Sequence, residues 1–260
     1  MIFLAGPCVL ENEEVVFKTC EFLSNIANER GYDFYFKSSY DKANRSSVKS
    51  YRGPGLKAGL DFFRKIKDRF NVKIVTDIHT PDEAHLVAQV VDMIQIPAFL
   101  CRQTDMLKAA AETGKVVNIK KGQFLAPWDM KNVVDKLRYF NAKDIILTER
   151  GTTFGYNNLV IDFRAFKIMK ELDVKVIFDA THSVQLPGGA GESSSGQREF
   201  VPYLSRAAAA FGVDGFFMEV HPEPDIALCD GPNMINFKMV ENILTDIDSI
   251  RGINWKSSTL

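Results

Sequence analysis

Residues 73–96 read KIVTDIHTPDEAHLVAQVVDMIQI, and they set out one complete unit of the fold. Lys73-Ile74-Val75-Thr76 is a short run suited to a strand. Asp77-Ile78-His79 brings chemically active side chains to its end. Thr80-Pro81-Asp82-Glu83 then puts proline at the first helical position inside a threonine–glutamate capping box, ahead of the apolar Leu86, Val87 and Val90. Met93-Ile94-Gln95-Ile96 resumes an extended run. Two strands joined through a helix rather than a tight turn must run parallel.

Outward from this unit the pattern recurs. Strand-like runs lie near Ile2–Ala5, Phe34–Ser38, Lys73–Thr76, Met93–Ile96, Val116–Lys120, Ile145–Thr148, Val174–Phe178 and Gly215–Glu219. Several are apolar without alternation, as expected where both faces of a parallel strand are covered. Between them, Asn12 caps a helix with acidic Glu13 and Glu14 in its first turn, an inward stripe of Val16, Cys20, Leu23 and Ala27, and a stop at Gly31. Residues 55–70 show Leu56, Leu60, Phe63, Ile66 and Phe70 at helical spacing, and Gly114 ends the helix that includes Ala109–Ala111.

Eight such units in 260 residues, with no proline-rich or serine-rich linker, predict an α/β fold: a single (β/α)8 barrel filling residues 1–260 as one domain. The competing arrangement is an open doubly wound sheet, but no G-x-G-x-x-G follows the first strand. A barrel also gathers every strand end on one face, where barrel enzymes place their active sites.

Composition narrows the function classes. With 46% hydrophobic and 25% charged residues the chain is globular rather than disordered, and 32 basic against 33 acidic side chains leave a net charge of −1. A pI of 6.4 argues against a broad nucleic-acid or membrane-surface footprint. Cys8, Cys20, Cys101 and Cys229 show no C-x-x-C spacing, which indicates a reducing compartment. The apolar start Met1-Ile2-Phe3-Leu4 is too short for a signal peptide and lacks a leading positive charge, and no apolar run approaches the ~18 residues of a membrane span. A cytoplasmic protein is expected.

The strand ends fall into two arcs. Gly6-Pro7-Cys8 closes the first strand, Asp179-Ala180-Thr181-His182 the seventh and Glu219-Val220-His221 the eighth, followed by Cys229-Asp230. In a closed barrel, strand 8 lies between strands 7 and 1, so Cys8, His182, Glu219 and Asp230 can converge on one ion. A thiolate, an imidazole and carboxylates suit a divalent transition metal rather than Mg²⁺ or Ca²⁺. The plain alternative makes Cys8 a small apolar strand residue and His182 a hydrogen-bonded loop residue. On the other arc, Lys37, Lys42 and Arg45 follow strand 2, Arg102 follows strand 4, Lys120 and Lys121 end strand 5 and Arg150 ends strand 6. Single cations at separate strand ends suit phosphate or carboxylate ligands, as against a merely solvated face. Residues 186–198, rich in glycine and serine, read as a mobile loop, either a lid or a surface insertion. His79 can line the cavity, whereas His85 within its helix and Trp255 read as structural. His221 is ambiguous, and Trp128 is expected to brace the fifth loop.

These strand ends resemble a known family over nearly the whole chain, the 3-deoxy-D-manno-octulosonate 8-phosphate (KDO8P) synthases. The segments that carry the resemblance are Ala5-Gly6-Pro7-Cys8, residues 37–47 (KSSYDKANRSS), 95–105 (QIPAFLCRQTD), 120–124 (KKGQF), 148–158 (TERGTTFGYNN), 179–185 (DATHSVQ) and 221–224 (HPEP). The related 3-deoxy-heptulosonate 7-phosphate synthases carry a Lys-Pro-Arg-Thr-Ser element where this chain has Lys42-Ala43-Asn44-Arg45-Ser46-Ser47.

The resemblance implies condensation of phosphoenolpyruvate with arabinose 5-phosphate in the supply of Kdo to lipopolysaccharide. It assigns phosphoenolpyruvate to Lys42, Lys120 and Arg150 with Lys37 nearby, and the sugar phosphate to Asn44, Arg45 and Ser46, with Arg102 reaching across from a neighbouring subunit of a homotetramer. Orientation of the water and the aldehyde, and their proton exchange, fall to His182, Asp230 and the metal, with Lys42 as a further catalytic candidate. Cysteine at position 8, where a metal-independent branch has asparagine, implies the metal-dependent branch, with Zn²⁺ or Fe²⁺ foremost and Mn²⁺ or Co²⁺ also suited. Cys229-Asp230-Gly231-Pro232, however, resembles a segment of the metal-free branch. Other readings are a heptulosonate synthase acting on erythrose 4-phosphate, a Schiff-base aldolase using Lys120 or Lys37, and a non-catalytic phosphosugar-binding regulator.

Overall fold

The computed structural model describes residues 1–45, 47–188 and 195–253. Ile2–Gly6 (β1), Asp33–Lys37 (β2), Lys73–Asp77 (β3), Met93–Ile96 (β4), Val116–Lys120 (β5), Ile145–Glu149 (β6), Lys175–Asp179 (β7) and Gly215–Glu219 (β8) form a closed barrel, ordered β1-β8-β7-β6-β5-β4-β3-β2. Every pairing is parallel. β1 closes the ring, with Ile2 opposite Asp33 of β2 on one side and Gly6 opposite Glu219 of β8 on the other. Around it run Glu13–Glu29 (α1), Leu56–Phe70 (α2), Glu83–Ala88 (α3), Thr104–Glu112 (α4), Met130–Tyr139 (α5), Arg164–Lys170 (α6), Val201–Phe211 (α7) and Phe237–Arg251 (α8). This is the predicted (β/α)8 barrel. Among the described residues, no helix is long and apolar enough to cross a membrane.

Two layers inside the barrel explain why one face is reactive. Residues two apart on a strand point to the same side. Ile2, Leu4, Tyr35, Val75, Met93, Ile146, Ile177 and Phe217 form a buried cluster distinct from the strand–helix core, and they plug the interior. One pleat nearer the strand ends stand Lys37, Asp77, Gln95, Asp179 and Glu219, all buried, with Lys120 two residues past the buried Asn118. An apolar floor thus lies under a charged upper layer, which depends on that floor to stay in register.

The helices bury the faces their sequence periodicity assigns. Asn12 accepts a hydrogen bond from the Val15 amide at 2.9 Å, and Val16, Cys20, Leu23 and Ala27 are fully buried. Leu60, Phe63 and Ile66 of α2 are also buried, each such side chain contributing roughly 1.5–3 kcal/mol. The 80–83 segment forms half of the expected capping box, the glutamate side reaching back to the Thr80 amide. α3 starts at Glu83, with no side-chain cap from Thr80; the Glu83 carboxylate instead accepts from the backbone amides of His79 (2.6 Å) and Thr80 (3.2 Å) and from the Tyr40 hydroxyl (2.8 Å). With only six helical residues the stripe narrows, so Leu86 is 48% exposed while Val87 and Val90 are buried. Trp128, at 65% exposure, does not pack as a brace. His85 is exposed, His221 is buried, and Trp255 lies outside the described residues.

Candidate active site

The charged layer opens into a cavity of about 350 Å³ lined by residues from seven of the eight strand ends, among them Lys37, Lys42, Asn44, Arg45, Asp77, His79, Gln95, Lys120, Arg150, Asp179, His182 and Asp230. Two loops complete it. After β1, Leu10 donates its amide to Ser39 at 2.9 Å, holding Cys8 against the end of β2; a β-carbon on Gly6 would collide with the Lys37 carbonyl oxygen. After β8 the chain returns to its own strand: Ile235 donates to the Glu219 carbonyl and His221 to the Ile235 carbonyl, both at 3.1 Å. Within that returning loop Asp230 adopts φ 48°, a left-handed conformation uncommon for a non-glycine residue and found at functional sites.

The cations are buried in pairs with acids. Lys37 Nζ lies 2.9 Å from Ser39 Oγ, 3.8 Å from Asp77 and 3.6 Å from Glu219, and Lys42 Nζ is 3.7 Å from the same Glu219 oxygen. Lys120 pairs with Asp179 and sits 3.1 Å above the Phe217 ring centroid. Burial drives the Lys120 ammonium down to about 8 despite the pull of Asp179. Arg150 donates to the His182 carbonyl at 3.2 Å and to Gln185 at 2.8 Å.

On the opposite arc, Asp179 orients His182. Its carboxylate lies 2.8 Å from Nδ1 and accepts the His182 amide at 2.9 Å, which directs Nε2 to Glu219 (3.6 Å) and Asp230 (3.8 Å). A carboxylate behind an imidazole whose other nitrogen faces acidic side chains is the usual support of a metal-binding histidine. Burial would raise the Glu219 carboxyl, but His182, Lys42 and Lys37 bring it down to about 2. It is therefore an anion, yet neither oxygen has a hydrogen-bond partner among the described residues. Lys37 and Lys42 balance its charge from 3.6 and 3.7 Å, while its oxygens keep lone pairs open to a further ligand.

Metal-capable atoms form two groups that share Asp230: His182 with Glu219, and Cys8 with Cys229, each set lying within 4.8 Å. All four residues expected from the sequence thus come to one place, although Cys8 and His182 meet only through Asp230. The donor chemistry, sulfur, imidazole and carboxylate, fits a divalent transition metal.

Of the remaining expectations, Asn44 lines the cavity but is exposed, and Arg45 turns to Asp230 and Cys229, at 3.1 Å from each. Arg102 is exposed and away from the cavity of its own chain. Ser46 lies outside the described residues, as do 189–194 of the loop read as a lid; the loop's ends are tied by antiparallel pairing of Gln185–Leu186 with Ser195–Gly196. His79 lines the cavity as expected. Sequence reasoning missed Asp77 and Asp179, although each ends a strand, and missed Cys229, whose position beside Asp230 was the available signal.

A barrel with buried lysines at its mouth beside a metal-competent cluster defines a class. Residues 1–251 match the model of the DAHP synthetase I family, and the chain belongs to it. Within that class its relatives point to one member group. Proteins named 2-dehydro-3-deoxyphosphooctonate aldolase, another name for KDO8P synthase, are 57% identical in Geobacter sp. (strain M21), over 97% of this chain and 93% of the relative, and 57% identical in Desulfosudis oleivorans, over 96% and 90%. The protein of that name from Synechococcus sp. is 56% identical over 96% of this chain and 88% of its own length.

Proposed function

We propose that this enzyme, a transferase, condenses phosphoenolpyruvate with D-arabinose 5-phosphate and water to give KDO8P and inorganic phosphate. The observation that carries the reading is the cavity itself, in which Lys37 and Lys42 after β2, Lys120 at the end of β5 and Arg150 after β6 stand around the same opening as His182 and Asp230, with Glu219 within 4 Å of Lys37, Lys42 and His182. One arc holds anions; the other handles protons and a cation.

Lys42, Lys120 and Arg150, with Lys37 beside them, hold the phosphate and carboxylate of phosphoenolpyruvate, while Asn44, Arg45 and Ser46 receive the sugar phosphate. Binding places C3 of phosphoenolpyruvate against the aldehyde carbon, and such positioning supplies much of the rate. The C3–C1 bond forms as water adds at C2. The aldehyde oxygen takes a proton, and the tetrahedral product loses phosphate by cleavage of its C–O bond. The carboxylates of Glu219 and Asp230 stabilise positive charge developing at C2, and the Asp230 carboxylate moves the proton between water and aldehyde, while Asp179 keeps His182 aimed at the metal position. Cys8, His182, Glu219 and Asp230 would hold a divalent metal, Zn²⁺ or Fe²⁺ foremost and Mn²⁺ or Co²⁺ also suited, which supplies Lewis-acid polarisation of an oxygen when bound.

The enzyme works as one catalytic barrel in the cytoplasm, in Kdo and lipopolysaccharide biosynthesis. A homotetramer brings Arg102 of one subunit to the sugar phosphate of the next, which accords with its exposure away from its own cavity. The test is phosphate release, expected only when phosphoenolpyruvate and arabinose 5-phosphate are both present. Faster release with erythrose 4-phosphate would make the protein a heptulosonate synthase, and a borohydride-trapped adduct at Lys120 would make it a Schiff-base aldolase.

A further inference from the structure

The two free thiols of the site stand 2.6 Å apart, Cys8 fully buried and Cys229 at 2% exposure. To share one ion they need only part to roughly 3.7 Å, the spacing of two thiolates each about 2.3 Å from a tetrahedral metal. Together with an Asp230 oxygen they form a triad spanning no more than 4.8 Å, a spread that one transition-metal ion bridges. Arg45 donates to Cys229 Sγ and to Asp230 from a single nitrogen, 3.1 Å from each, and so holds that sulfur and that carboxylate on one side of the pocket. Independently, the buried Glu219 carboxylate, 3.6 Å from His182 Nε2, has no hydrogen-bond partner among the described residues.

We infer that Cys229 is a second thiolate ligand of the metal, so that both sulfurs clamp the ion that Asp230 shares with His182 and Glu219. The inference rests on the metal-dependent reading above and goes beyond it in the donor set. Its consequence is selectivity. A site with one thiolate among oxygen and nitrogen donors accepts Mn²⁺ readily, whereas two thiolates favour Zn²⁺, Fe²⁺ and Co²⁺ over it. Cys229 is thereby the residue that sets which metal the enzyme keeps, and Arg45 the residue that holds Cys229 in place.

X-ray absorption at the zinc edge of the wild-type enzyme, stripped and reloaded with one equivalent of Zn²⁺, tests this without a variant. Two sulfur scatterers at about 2.3 Å are expected. A single sulfur overturns the inference and leaves the metal site standing, whereas a protein that takes up no zinc overturns both. Thiol titration of the stripped wild type under denaturing conditions should find all four cysteines free. Two missing thiols would show that a disulfide, not a shared metal, joins the pair, and would also overturn it. Cys229→Ser completes the test: with Co²⁺ bound, its near-ultraviolet thiolate charge-transfer band should fall by about half, and its Zn²⁺ affinity should fall about tenfold or more while Mn²⁺ affinity changes little. An unchanged band in a folded variant would overturn the assignment.

Discussion

The affinity for phosphoenolpyruvate should fall as pH rises through 8, and Lys120 is the cause. Its ammonium is buried, paired with Asp179 and driven down to about 8 by desolvation. Below that pH it is charged and attracts the substrate; above it the charge is lost. Bound substrate, being anionic, raises the Lys120 pKa, so binding above pH 8 must take up a proton. Protonated Lys120 makes up about nine-tenths of the enzyme at pH 7 and about one-tenth at pH 9, so KM for phosphoenolpyruvate should rise about tenfold between them. Tenfold is about 1.4 kcal/mol, just under the roughly 1.5–3 kcal/mol that one hydrogen bond to a charged group supplies. The assay is continuous phosphate release at saturating arabinose 5-phosphate from pH 6.5 to 9.5. Lys120→Arg keeps its charge throughout and should flatten the profile even where kcat falls. A wild-type KM that stays level to pH 9.5, or the same rise in the arginine variant, would refute the assignment.

Other perturbations separate the two arcs. Cys8→Ala should lose metal and rate together, read by metal analysis and phosphate release on one sample. Asp179→Asn removes the acid behind His182 and beside Lys120; metal affinity should drop about 10–100-fold, measured by chelator competition, and the variant should melt lower because a buried lysine loses its partner. Gly6→Ala drives a methyl group into the Lys37 backbone and should cost about 1–3 kcal/mol in denaturant unfolding, with a raised KM for phosphoenolpyruvate because β2 carries Lys37.

The barrel was legible because each crossover unit repeats the same grammar, a β-rich run, a reactive end and a periodic helix, and because the apolar plug and the outer core both draw on those runs. The hidden part lies in the pleat. Lys37, Asp77, Asp179 and Glu219 read in sequence as separate strand ends, and only ring closure sets Lys37 3.6 Å from Glu219. Sequence spacing likewise showed Cys8 and Cys229 as 221 residues apart, while the return of the 229–235 loop onto β8 brings their sulfurs together. The capping box ahead of the short α3 is half formed for a local reason: Glu83 reaches back to the Thr80 amide, but it also takes the His79 amide and the Tyr40 hydroxyl, and no side-chain cap from Thr80 answers it. The polar partners that orient a catalytic group leave little periodic signal, which is why Asp179 was passed over beside His182.

Two sets of strand ends act on one reaction, and titrating Zn²⁺ into the chelator-stripped enzyme with both substrates present tests this most directly. Phosphate release should be absent at the start, climb with added metal and reach its plateau at one equivalent per chain, with a KM for each substrate that reflects the lysine and arginine arc. Full phosphate release by the stripped enzyme would contradict it.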